Sequence, residues 1–254
     1  MKRQFQKEYL PNKAQIQKFI DDFDISGIPL GKAKRNSIKL FQLKDEIVNI
    51  KSFKVPNIFN QIAYKYFRKS KAQRSFEYAN KLIELGIGTP KPIAYFEYTS
   101  PLLFKKSFYV SHQLESDLTF RELITDENYP NHEEILRAFT RFTFKLHEKG
   151  ILFKDHSPGN TLINVANNEY RFNLVDLNRM EFKELSLEER INNFRRLTPK
   201  KEMIAVMSNE YSKLVEVNEN EVFTKMWSLT EAFQKQFYKK RALKQKLFFW
   251  RKKK

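Results

Sequence analysis

The stretch from His132 to Asp176 limits the fold of this chain more than any other part of it. It opens with a helical pattern, in which Ile135, Leu136, Phe139, Phe142, Thr143 and Leu146 recur at helical spacing and Lys149-Gly150 closes the run. A polar loop follows, Lys154-Asp155-His156-Ser157-Pro158-Gly159-Asn160, where Pro158 and Gly159 favour a tight path. Thr161–Val165 then reads as a strand, Ala166–Glu169 as a turn, and Arg171–Val175 as a second strand that ends on Asp176. A helix, a punctuated loop and a hairpin thus carry Asp155, Asn160 and Asp176 in fixed order.

The rest of the chain sorts around this segment. Residues 13–24 read as helix or strand. Ser26 to Asn36 is a loop with Gly27, Gly31, Lys32, Lys34 and Arg35. Ser37–Leu43 and Ile47–Phe53 form the two arms of an expected hairpin around Lys44-Asp45-Glu46. Ser70–Leu85 carries Phe76, Ala79, Leu82 and Ile83 at helical spacing, with Gly86 as the stop. Gly88-Thr89-Pro90-Lys91-Pro92 breaks regular structure, and Ile93–Tyr98 and Ser107–Gln113 read as strands. Thr119–Ile124 reads as a short helix, and residues 185–254 as helical with Pro199 as the main break. Strands with one main helix, then a helical half, predict an α+β fold of two lobes, residues 1–113 and 114–254.

Composition narrows the partners. At 254 residues with 41% apolar side chains and 24 phenylalanines, the chain can bury a substantial core. Its net charge of +17 favours anionic partners (nucleic acid, nucleotides, phosphorylated sugars, an anionic membrane face), although a solvated lysine-rich surface has the same composition. The absence of cysteine excludes disulfides, thiolate metal sites and thiol nucleophiles, and fits the cytoplasm. The start, Met1-Lys2-Arg3-Gln4-Phe5-Gln6-Lys7, lacks the apolar run of a secretory signal. No stretch approaches the ~20 apolar residues of a membrane span, so a soluble or peripheral protein is expected. Four scattered histidines without H-E-x-x-H speak against zinc, and no G-x-S-x-G or Walker-type loop is present.

Asp155 and Asn160, five residues apart, suit phosphoryl transfer. That reaction needs a carboxylate near the acceptor hydroxyl and oxygen ligands for magnesium. Asp176, at the end of an apolar strand, adds a second hard-oxygen donor. Each signal has a plainer reading: a polar loop between helix and strand, and an N-cap at Asp176. Upstream, Val48-Asn49-Ile50-Lys51 echoes the V-A-I-K strand that holds nucleotide phosphates. Glu77 on the following helix is the natural residue to orient Lys51, with Glu84 as the alternative and Lys54 competing with Lys51. Gly31 and Lys34 mark a candidate phosphate loop, although Gly27 and Gly31 do not make G-x-G-x-x-G.

These residues resemble the lipopolysaccharide core kinase family, the Kdo-kinase/WaaP group. The resemblance rests on Leu146-His147-Glu148-Lys149-Gly150-Ile151, on Lys154 to Ile163, and on Leu174-Val175-Asp176-Leu177-Asn178-Arg179-Met180. Asn49–Lys54, Ser70–Glu77 and Gly86–Pro90 extend it upstream, so that it spans roughly residues 30–200. It implies a two-lobed protein-kinase-like fold and phosphorylation of a sugar hydroxyl (Kdo or heptose) in the lipopolysaccharide inner core. ATP and Mg²⁺ would be the cofactors, and the cytoplasmic membrane face the place of action. Carried over, Asp155 is the base, Asn160 and Asp176 bind magnesium, Lys51 holds ATP phosphates and Glu77 orients Lys51. Two departures stand out: Phe153 occupies a position where many such loops have His, and Asp176 is followed by Leu-Asn rather than Phe-Gly.

At the far end, residues 222–254 mix bulky apolar residues with cations, ending in Phe248-Phe249-Trp250-Arg251-Lys252-Lys253-Lys254. The first half suits a helix packed on the core, and the last dozen residues suit an interfacial anchor on anionic lipid. Three alternatives stay open: a protein or small-molecule kinase with the same loop, an inactive scaffold of that fold, and a charge-driven nucleic-acid binder. The ordered set Lys51, Glu77, Asp155, Asn160 and Asp176 favours a phosphotransferase with an alcohol acceptor, for which no specific nucleic acid is expected.

Overall fold

Period-two burial shapes the first part of the chain. The computed structural model describes residues 1–31, 36–167 and 169–247. The chain divides into two units, Met1–Glu115 with Asn173–Arg179, and Ser116–Phe172 with Met180–Lys254.

The first unit contains strands β1 (Lys2–Phe5), β2 (Ile28–Pro29), β3 (Ser37–Leu43), β4 (Glu46–Phe53), β5 (Pro92–Thr99) and β6 (Phe104–His112). They form one antiparallel sheet in the order β1-β5-β6-β4-β3-β2. Its helices are α1 (Lys13–Asp21), α2 (Ile58–Tyr66) and α3 (Lys71–Glu84). Val48 and Ile50 of β4 are fully buried and pack with Phe96, Val110 and, from α1, Ile16 and Ile20. Each such side chain stabilises the fold by roughly 1.5–3 kcal/mol. Because side chains alternate along a strand, Lys51 is carried on the opposite face from Ile50.

This unit holds more helix than the single main helix expected from sequence. Only Ile16 and Ile20 of α1 are buried, which leaves a weak periodic signal. Asn57 caps α2, its side chain accepting from the Asn60 N–H at 3.1 Å directly after Pro56, yet α2 buries no residue at all. Its apolar arc is confined to nine residues, too short a window for a strong periodic signal. By contrast α3 has an N-cap, Ser70, that accepts from the Gln73 N–H, and it buries Ala72, Phe76, Ala79 and Leu82.

The second unit comprises β7 (Leu118–Thr119), α4 (Phe120–Thr125), α5 (His132–Glu148), β8 (Ile151–Phe153), β9 (Thr161–Ala166), β10 (Glu169–Leu174) and β11 (Met180–Phe182). Helices α6 (Leu187–Asn192), α7 (Lys201–Val215) and α8 (Glu219–Leu247) complete it. The last two residues of β10, Asn173 and Leu174, belong with the first unit. Strands run β10-β9-β7 in one small sheet and β11-β8 in another. Phe139 of α5 is fully buried in a core with Phe120, Phe194, Met207, Tyr211 and Met226. Reciprocal side-chain caps, Thr119 with Glu122 and Ser186 with Glu189, fix the starts of α4 and α6. Along α8 only Val222, Met226 and Thr230 are buried, while Phe237, Tyr238, Leu243 and Leu247 are exposed. Of the expected anchor over the last dozen residues, the part up to Leu247 ends α8 with Leu243 and Leu247 exposed, and residues 248–254 lie outside the described residues. Among the described residues, no helix is long and apolar enough to cross a membrane.

Candidate active site

Two groups of polar side chains stand out, one in each unit. In the first unit, a turn positions Asp176. Gly86, at φ +66°, ends α3 and reverses the chain, and the Ile87 N–H returns to the Leu82 carbonyl at 2.8 Å. The next residues grip a distant strand end. The Leu174 N–H donates to the Gly88 carbonyl at 2.9 Å, and Thr89 Oγ1 donates to the Leu174 carbonyl at 2.8 Å. Two residues later Asp176 adopts φ +59°, a left-handed conformation uncommon outside glycine, although Asp and Asn tolerate it better than other residues.

The Asp176 carboxylate is held from two sides. Lys51 Nζ donates to Asp176 Oδ1 at 2.6 Å, and Asn178 Nδ2 donates to the same oxygen at 2.7 Å. Lys51 is largely shielded, with 14% of its side chain exposed, so this ion pair is less screened than a surface one. Lys51 also sits 5.4 Å from the Phe53 ring centroid on the same strand face. The sequence therefore names two residues, Lys51 and Asp176, that the fold brings together across 125 positions.

Glu77 makes a different pair. It accepts from Lys69 Nζ at 2.8 Å and from Gln73 Nε2 at 2.9 Å, while Lys51 takes Asp176. Gly31 sits at φ +74° with nothing within 4 Å of where a Cβ would stand, and Gly27 is at φ +82°. Lys39 Nζ holds the start of that loop through the Phe23 and Ser26 carbonyls, at 2.6 and 2.8 Å. Lys34, with Lys32 and Arg35, lies outside the described residues.

In the second unit, the loop after β8 carries Asp155 and Asn160. Asn160 Nδ2 donates to the Asp155 backbone carbonyl at 2.8 Å, which closes the loop on itself. The Asn160 N–H donates to the Ser157 carbonyl at 2.9 Å. Arg196 Nη1 reaches both Asp155 Oδ1 and the Lys154 carbonyl, each at 2.9 Å. Lys154 itself pairs with Glu181. A Cβ at Gly159 would lie 2.7 Å from Arg121 Nη2, so a side chain there would push the Arg121 guanidinium aside.

Beneath this loop is an aromatic layer with two buried histidines. His156 is fully buried and stacks on Phe139 with ring centroids 5.3 Å apart. Its Nε2 meets Thr143 Oγ1 at 3.2 Å, and Nδ1 has no partner. Burial, with smaller contributions from His147 and Arg196, lowers its pKa to about 3. His147 bonds Tyr211 Oη and Asn193 Oδ1 at 2.8 and 3.2 Å, and burial lowers its pKa to about 4. Asn193 Nδ2 in turn donates to the Phe153 carbonyl at 2.9 Å, just ahead of the loop. Both imidazoles are neutral struts at neutral pH, not proton carriers.

Sequence reasoning named Asp155, Asn160, Lys51 and Asp176, and passed over Asn178, Thr89 and Arg196. Asn178 lies two residues after Asp176 and could have been suspected. Arg196 lies 41 residues beyond Asp155 in a basic run, and nothing in that run distinguishes it.

Among the described residues, no cluster of three or more His, Asp or Glu side chains could hold a metal by itself. Magnesium at a nucleotide site does not need one, since it usually takes one or two protein oxygens and completes its shell with phosphates and water. The carboxylate of Asp176 and the amide of Asn160 are oxygen donors of that kind.

Comparison with known proteins adds two findings. The model of the lipopolysaccharide kinase (Kdo/WaaP) family matches residues 55–218. A solved structure of WaaP in complex with acyl carrier protein is similar in fold, with a TM-score of 0.63 at 14% identity, covering 94% of this chain and 99% of that one. No curated protein matches significantly.

Proposed function

This chain belongs to the lipopolysaccharide kinase (Kdo/WaaP) family, and on that premise we propose that it transfers a phosphoryl group from ATP to a sugar hydroxyl of the lipopolysaccharide inner core. The observation that carries this reading is the Lys51–Asp176 pair at 2.6 Å. A strand lysine beside a carboxylate, with Asn178 on the same carboxylate oxygen and Thr89 on the Leu174 carbonyl two residues earlier, suits nucleotide phosphates and their metal.

In this reading the fold is a two-lobed protein-kinase-like one. Lys51 binds ATP phosphate oxygens, and Asp176 and Asn160 supply oxygens to Mg²⁺. The ion, when bound, neutralises charge on the transferring phosphoryl group. Because Asn160 Nδ2 is committed to the Asp155 carbonyl, Oδ1 is the end of its amide that serves a cation. Asp155 accepts the proton of the acceptor hydroxyl as the oxygen attacks. Arg196 holds that carboxylate at Oδ1 and fixes its direction. Glu77 is held by Lys69 and Gln73 while Lys51 takes Asp176, so Glu77 is given no role at Lys51 in this reading. Gly31, with Lys34, covers the phosphates. The acceptor is an anionic glycolipid, reached at the inner face of the cytoplasmic membrane, where the basic end of the chain adds attraction for anionic lipid.

The test is phosphate transfer to core glycolipid by the purified chain with ATP and Mg²⁺. Asp155→Ala should abolish transfer while the thermal midpoint stays within a few degrees of wild type. Transfer retained by that variant would remove Asp155 from the role of base. Mass spectrometry of core glycolipid from cells lacking the protein identifies the hydroxyl, as the loss of one phosphate.

A further inference from the structure

Helix α2 carries its apolar side chains outward. Ile58, Phe59, Ile62 and Tyr66 fall within an arc of about 100° at α-helical spacing, and their exposures are 50, 80, 41 and 54%. Phe67, at the helix end, is 82% exposed, and Val55, ahead of it, 38%. The helix rests on the sheet through other residues. Tyr64 meets Phe104 of β6 with ring centroids 5.6 Å apart, and Gln61 Nε2 bonds the Pro56 carbonyl at 2.9 Å. Turning a helix this way leaves much of its apolar area in water, so folding alone does not explain it.

Cations outnumber carboxylates around this face, although Glu97 also lines the groove beside it and Lys69 is paired with Glu77. From Ile47 to Phe76 the sequence holds no Asp or Glu, while Lys54, Lys65, Arg68, Lys69, Lys71 and Arg74 fall in or beside α2. Lys65, Arg68 and Lys69 line an open groove of about 550 Å³ beside the helix end, together with Tyr66 and Phe67. Arg68 packs over the Tyr64 ring at 5.7 Å, which keeps its charge at the groove.

We propose that α2 and its flanks form a docking face for an anionic lipid bilayer, with Phe59, Ile62 and Phe67 entering the headgroup–acyl boundary and Lys65 and Arg68 meeting lipid phosphates. An apolar arc rimmed by cations is the composition of an interfacial helix. A second copy of this chain is a poor occupant, because two such faces would set their excess cations, Lys65 and Arg68 in each, against one another. The face is distinct from the basic end of the chain, lies in the first unit, and involves none of the residues assigned to phosphate transfer.

Flotation of the full chain with vesicles tests this, and it reads binding independently of kinase activity. Wild type should float with equimolar phosphatidylcholine–phosphatidylglycerol vesicles and stay in solution with phosphatidylcholine alone. The exposed variant Phe59→Ser/Ile62→Ser/Phe67→Ser should melt like wild type and lose flotation. Lys65→Gln/Arg68→Gln should weaken the partition roughly thirtyfold, at about a fivefold loss per removed cation. The basic end of the chain is intact in both variants. Undiminished flotation in both, or no flotation of wild type, would overturn the proposal. So would cation-dependent capture of a soluble acidic protein by a wild-type chain that ignores vesicles, because the face would then serve a protein partner.

Discussion

Arg196 donates to the Asp155 carboxylate at Oδ1 and, one residue back, to the Lys154 carbonyl, with 2.9 Å to each. The guanidinium also lies 5.7 Å from the Phe233 ring of α8, so the loop is steadied from a late helix. Arg196 is a positioning residue in this arrangement. Arg196→Ala should lower kcat by about ten- to a hundredfold, the loss of one charge-assisted hydrogen bond, with little change in KM for ATP. Arg196→Lys should recover part of kcat, since charge returns without the planar fork. Steady-state kinetics with ATP varied separates the two parameters, and an unchanged kcat in Arg196→Ala would remove the role.

Asn178 donates to the same Asp176 oxygen that accepts from Lys51, and it is buried to 7% exposure. Asn178→Leu should leave Asp176 restrained by Lys51 alone. We expect about a tenfold fall in kcat/KM for ATP, since a hydrogen bond to a charged group contributes on the order of 1.5–3 kcal/mol. A matching rise in the magnesium needed for half-maximal rate would place the effect at Asp176; a uniform loss of folded protein would not.

Gly27 tests the loop before β2. It sits at φ +82°, and a Cβ there would lie 2.5 Å from the Phe41 ring. Left-handed backbone and a ring clash add, so Gly27→Ala should destabilise the chain by about 2–4 kcal/mol. Gly31→Ala should cost only the conformational part, because nothing stands within 4 Å of its Cβ position. Chemical denaturation of the two variants gives the comparison.

Acid should weaken the second unit. His156 and His147 have folded pKa values of about 3 and about 4, both lowered chiefly by burial. An unfolded histidine titrates near 6.5. Between those values the unfolded chain binds protons that the folded chain does not, so stability falls as pH drops below about 6.5 and levels off only near the folded values. At pH 5 each histidine should cost roughly 2 kcal/mol relative to neutral pH. His156→Phe, which keeps a ring against Phe139, should flatten the acid limb of a stability-versus-pH curve by about that amount.

How much of this was legible beforehand depends on where a signal was local. The His132–Glu148 helix and the Ser37–Leu43 strand match the reading residue for residue, because an amphipathic period or a hairpin turn lies within a short window. The order Lys51, Asp155, Asn160, Asp176 was readable for a similar reason, since each residue sits on a strand or in a loop with its own punctuation. Helix α2 is not among the expected elements, because its apolar arc spans only nine residues between Pro56 and Phe67. Glu77 was read as the partner of Lys51 from chain order alone. The fold gives Glu77 instead to Lys69, which sits two residues ahead of α3, and such a choice between nearby cations depends on tertiary direction that spacing does not encode. Pairs such as Arg196 with Asp155, or Thr89 with the Leu174 carbonyl, arise only once distant segments meet.

The return of Asn173–Arg179 to the first unit has a consequence for biogenesis. When Glu115 leaves the ribosome, the sheet of β1–β6 is complete, but Lys51 still lacks its carboxylate and Gly88 and Thr89 their strand end. Some sixty further residues must emerge before Asp176 arrives, at synthesis speeds an interval of several seconds. A nascent first half therefore waits with an unpaired cation, and a fragment that stops at Glu115 stays in that state permanently. Because Asn173–Arg179 lies between the two stretches of the second unit, no single cut yields two pieces that each hold a whole unit.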